Sequence, residues 1–147
     1  MNTDRDREIR GLQTALAGVH TAIWGYGRLT PELLPELDAQ ARSAYHDYRR
    51  LRSRLGSMLA DRDAEPVASL PAYRLPHPVN DSDSARELAA KLERGCAEAF
   101  GTLVEYASGP DLRRYAANEL LACAKRERDW GGKPGAFPGA KPNRTSG

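Results

Sequence analysis

The chain has 147 residues, of which 40% are apolar and 29% charged, with a formal charge of +2. This length suits one domain with one core, and the charge is too small to argue for nucleic acid from the whole protein. No apolar run approaches the ~18 residues of a membrane span, the N-terminal MNTDRDREIRG lacks the apolar stretch of a secretory signal, and two cysteines do not make a secreted disulfide framework, so a cytoplasmic protein with neither membrane nor nucleic-acid partner is expected.

Ala, Leu and Arg dominate while Val and Ile are scarce, a bias toward helix over strand. A first helix is expected over 5–27, because Ile9, Leu12, Leu16, Val19, Ile23 and Tyr26 recur at alternating steps of three and four and so share one face. Thr30-Pro31 reads as an N-cap followed by a first helical residue. A second helix is expected over 35–62, with Pro35 near its start and Leu34, Leu37, Ala41, Ala44, Tyr48, Leu51, Leu55 and Met58 as its stripe.

Residues 63–81 hold four prolines and no helical period. At ~3.3 Å per residue this connector outspans the ~30 Å length of a helical bundle, so helices 2 and 3 need not be antiparallel neighbours. A third helix is expected over 83–107, opened by a Ser84–Glu87 capping box and carrying Ala89, Leu92, Cys96, Ala99, Leu103 and Tyr106. Ser108-Gly109-Pro110 then leads into a fourth helix over 110–130, with Ala116, Leu120, Cys123 and Trp130 facing inward. The Gly/Pro-rich tail, 132–147, is expected to be disordered. Short, long and short connections define an all-α four-helix bundle over residues 1–131 with one crossover, the ferritin-like arrangement.

In an antiparallel hairpin, residues equidistant from the turn stand level. About a turn centred near residue 109, Cys96 is level with Cys123, and Glu93 with Arg126. Both pairs face the helix 3–4 interface, so an interior ion pair Glu93–Arg126 is expected. The two thiols read either as small packing residues or as a redox pair. His20 flanks the helix 1 stripe, His46 falls on the outer side of helix 2, and His77 lies in the connector. Glu119 lies near the helix 4 stripe, but its height differs from that of Glu93 by about 10 Å. Arg49, Arg50, Arg52 and Arg54, like Arg113-Arg114, read as solvated charge. No phosphate-binding Gly loop, HExxH or GxSxG is present.

The segments LQTALAGVHTAIWGYG, PVASLPAYRLPHPV and KLERGCAEAF and the terminal Trp…AFPG resemble the actinobacterial ferritin-like domain family first catalogued as a domain of unknown function, DUF4439, over roughly residues 10–139. The wider ferritin-like class implies a di-iron site built from one Glu on each of two helices and Glu-x-x-His on each of the other two. Here helix 1 offers His20, helix 2 reads Tyr45-His46-Asp47-Tyr48-Arg49, helix 3 offers Glu93, and Glu119 on helix 4 is followed three residues on by Ala122.

The leading expectation is therefore a bundle without an intact di-iron site and without cofactor, a binding or assembly module rather than an enzyme. Its partner would be a second copy, another protein or a small molecule. The alternative is an iron-binding or oxidase-type metalloprotein using His20, Glu93 and Glu119. A third reading places a small ligand among Trp24, Tyr26, Tyr45 and Tyr73, between bundle and connector.

Overall fold

The computed structural model describes residues 3–31, 33 and 35–131. Among these it has four helices and no strand: α1 (Thr3–Tyr26), α2 (Asp38–Ala60), α3 (Ser82–Tyr106) and α4 (Pro110–Asp129). Leu34 of the expected stripe and the expected disordered tail, 132–147, lie outside the described residues.

Each helix starts where local chemistry serves its free N–H groups. Asp4 and Asp6 place negative charge in the first turn of α1, against the positive end of its dipole. α2 begins three residues later than expected. Pro31 and Pro35 precede it in turn backbone, and Leu37, without a side-chain cap, is its N-cap. The capping box of α3 is also displaced by three residues. Asp81, not Ser84, is the extended cap: its Oδ1 accepts from Ser84 N at 2.7 Å while Ser84 Oγ accepts from Asp81 N at 3.1 Å. Pro110 opens α4, where a missing N–H costs nothing.

α1 packs against α2 and α3, and α3 against α4, whereas no Cα of α2 comes within 8 Å of one of α4. The bundle therefore has a wide fourth edge. α1 and α3 are antiparallel and close: a Cβ at Gly11 would stand 3.0 Å from Tyr106 Cβ, and one at Gly18 3.0 Å from Ala99 Cβ. The absent side chains at these heptad-spaced positions allow that approach. The core is Leu12, Leu16, Val19, Tyr48, Leu55, Leu59, Leu88, Phe100 and Leu103, with small Ala and Cys residues between them. Within the expected stripes Ile9, Ile23, Met58, Leu92, Tyr106 and Leu120 are only half-buried, while Phe100 and Leu59 are fully buried. Each helix serves more than one neighbour, so its buried face is broader than one stripe.

The crossover, 61–81, runs along α1. Gln13 Nε2 donates to Glu65 O at 2.8 Å and its Oε1 accepts from Val67 N at 2.8 Å. At the base of the bundle Glu8 ties three elements together. Its Oε1 accepts from Ser108 N and Oγ (3.1 and 2.8 Å), and its Oε2 from Arg62 Nε at 2.9 Å.

Candidate functional site

The centre of the bundle is polar. Glu93 on α3 has no exposed surface. Tyr48 Oη of α2 stands 2.7 Å from both of its oxygens, and Arg126 Nε of α4 stands 2.8 and 2.9 Å from them. Arg126 Nη2 also donates to Tyr48 Oη at 3.3 Å and reaches Cys123 Sγ at 3.6 Å, while Tyr48 Oη lies 3.4 Å from that sulfur. α1 contributes Tyr26, stacked on Tyr48 with ring centroids 6.0 Å apart, and Trp130 Nε1 donates to the Tyr26 hydroxyl at 2.9 Å. Every helix thus supplies a side chain to one connected network.

Burial pushes the Glu93 carboxyl above the usual carboxylate range, while Arg126 and Tyr48 pull the other way. Burial likewise works against the Arg126 cation, but Tyr48 and Glu93 beside it more than compensate and hold its pKa above the ordinary value. The pair is therefore an ion pair whose charge Arg126 cannot shed. Burial pushes the Cys96 thiol well up and the Cys123 thiol to about 11. Both cysteines are free and buried, and protonated thiols are poor nucleophiles. Cys96 instead donates to Gly18 O at 3.4 Å, a contact between α3 and α1.

A second ion pair lies beside the first with its signs exchanged: Arg94 Nε on α3 donates to the buried Glu127 on α4 at 2.6 Å. The level rule that singles out Glu93 and Arg126 applies within two residues to Arg94 and Glu127, but their place off the apolar stripe hid them. Tyr48 carried no functional signal in the sequence. Its role depends on the hydroxyl crossing to another helix.

The structure does not bring His20, Glu93 and Glu119 together. His20 Nε2 donates to Val67 O of the crossover at 2.9 Å. Glu93 is engaged by Arg126. Glu119, half-buried, faces the open α2–α4 edge, a groove of about 590 Å³ shared with Asp47, Arg50, Arg54, Tyr115 and Arg126. Burial raises its pKa. Of the four aromatics expected around one ligand, Trp24 and Tyr73 do meet, with centroids 5.9 Å apart. Tyr26 belongs to the core, and Tyr45 is half-buried against it beside the exposed His46; neither lines the cavity at Trp24.

These residues do not fit a di-iron centre. Among the described residues no three His, Cys, Asp or Glu side chains form a group able to hold a metal, and the oxygens of Glu93 are occupied by a guanidinium and a phenol.

Four helices, one crossover and an inward polar centre define a ferritin-like bundle. Over residues 11–142 the chain matches the family described as Domain of unknown function (DUF4439), and it belongs to that family. It is similar to the crystal structure of a conserved hypothetical protein from Mycobacterium tuberculosis, at 28% identity and a TM-score of 0.82, over 86% of this chain and 96% of that one. It is also similar to a structure from Bacillus anthracis str. Ames described as ferritin-like, diiron-carboxylate proteins. There the identity is 17% and the TM-score 0.76, over 89% of this chain and 97% of that one, which places the fold alone. No curated protein matches the chain. No helix among the described residues is long and apolar enough to cross a membrane.

Proposed function

We propose that this chain is a metal-free ferritin-like bundle that acts as a binding module, its interior held by ionic and hydrogen bonds instead of a metal. Its support is the bundle centre, where Arg126 Nε lies 2.8 and 2.9 Å from the two oxygens of the fully buried Glu93. A fixed cation at the centre repels a second cation. The site holds no activated nucleophile either, since the nearby thiols are held protonated by burial. Reduced, buried cysteines also suit a cytoplasmic setting.

Thermal unfolding with excess EDTA and with anaerobic Fe(II) tests this. A metal bound only by the native state at a thousand times its Kd adds about 4 kcal/mol, which raises Tm by roughly 8–16 °C for a chain near 150 residues. The reading expects coincident transitions; a rise of that size with Fe(II) would contradict it.

A further inference from the structure

A cavity of about 360 Å³ lies where α1, α3 and the crossover meet. Trp24 and Tyr73 form aromatic walls at a mutual tilt of 57°, and Leu92, Gly95 and Cys96 of α3 also line it. Gly95 helps to make the space: a Cβ there would meet nothing within 4 Å. The crossover side is fixed. His20 holds Val67 O, Tyr73 Oη accepts from Leu70 N at 3.0 Å, and His77 Nε2 donates to Ser84 O at 3.0 Å. The cavity therefore stands formed before any ligand arrives, which spares the ordering cost of binding.

Its charge has one sign. Of the lining residues, Lys91 and Arg74 carry positive charge and none is acidic. Lys91 Nζ is held 3.2 Å from His77 Nδ1 and 3.2 Å from Glu87; Glu87 lies outside the lining. A largely apolar pocket with a few convergent polar groups is the usual form of a small-molecule site, and this volume suits one or two fused rings.

We propose that this cavity binds a flat aromatic carboxylate, with the rings against Trp24 and Tyr73 and the carboxylate at Lys91. The proposal rests on the binding-module reading and gives it a ligand class.

The test is calorimetric titration of the full chain with 2-naphthoate, and with 2-naphthylmethanol as its uncharged counterpart. Saturable one-to-one binding of the acid is expected, about tenfold weaker for the alcohol and about tenfold weaker in Lys91→Met, as loss of one charge-assisted contact implies. Gly95→Leu fills the cavity without meeting a neighbour at its Cβ and should abolish binding while keeping native helicity. Tyr73→Ala, in the crossover, should weaken binding by more than about tenfold and serves if Gly95→Leu fails to fold. No saturable heat with 2-naphthoate, or unchanged affinity in the cavity variants, would overturn the proposal, and equal affinity for the alcohol would overturn the carboxylate assignment. A failure of these titrations in a protein that takes up no iron sinks the cavity alone, whereas stoichiometric iron uptake sinks the underlying reading.

Discussion

Glu93 and Arg126 show how a charge can sit in a helical core without adding much stability. Burial penalises both charged forms, and the attraction between them mainly offsets that penalty. Removing one partner should then be far worse than removing both. Glu93→Ala or Arg126→Ala should each cost about 3–5 kcal/mol in urea unfolding, because each leaves an uncompensated group in contact with Tyr48. Glu93→Met with Arg126→Met should cost less than either single change; a double mutant equal to the sum of the singles would show that the pair does not act as a unit. Glu8 behaves differently. Burial opposes its charge, but the Ser108 N–H, Arg62 and the Ser108 hydroxyl outweigh burial and hold its pKa below the ordinary value. Its stabilising contribution is therefore present above the unfolded carboxyl pKa of about 4.3 and is lost as pH falls through the lowered folded value. Glu8→Gln should cost about 1–3 kcal/mol at pH 7, and that difference from the parent should shrink below pH 4. A cost that stays constant from pH 7 to pH 3 would count against the assignment. The interior ion pair was legible in the sequence because an antiparallel hairpin fixes the relative height of its residues. The partners of Glu8 and His20 were not, since Ser108, Arg62 and Val67 reach them across connections whose paths no periodicity encodes.

At the scale of elements, Gly18 of α1 and Gly95 of α3 have opposite roles. Gly18 is the point where α3 approaches, so Gly18→Leu should destabilise the fold by about 1–3 kcal/mol through overpacking, despite gaining helix propensity. Gly95 faces open space, so Gly95→Ala should stabilise by about 0.5–1 kcal/mol through propensity alone. Denaturant midpoints distinguish the two, and a stabilising Gly18→Leu would mean that α1 and α3 are not in the close register described. Helix number, order and the long crossover followed from periodicity and from proline placement. Helix starts were less readable. Pro35 is compatible with a first turn, yet α2 begins at Asp38, and Ser84 matched a cap pattern while serving as the third residue of the box that Asp81 opens. In both cases a short polar or proline motif fits two registers three residues apart, and tertiary packing chooses between them.

The whole molecule is two hairpins joined along α1 and α3, with the α2–α4 edge left wide and the crossover laid over α1. That arrangement has the shape of a ferritin-like bundle. Side chains from all four helices converge as they would on a metal, but what meets there is a carboxylate, a guanidinium, phenols and a thiol. Whether this network takes the place of metal is a question of metal content. The most direct measurement is elemental analysis of protein purified without a metal-binding tag, before and after anaerobic addition of Fe(II) and desalting. No stoichiometric metal is expected in either sample; two irons per chain would contradict a metal-free interior and return the bundle to oxidase-type chemistry on another set of ligands.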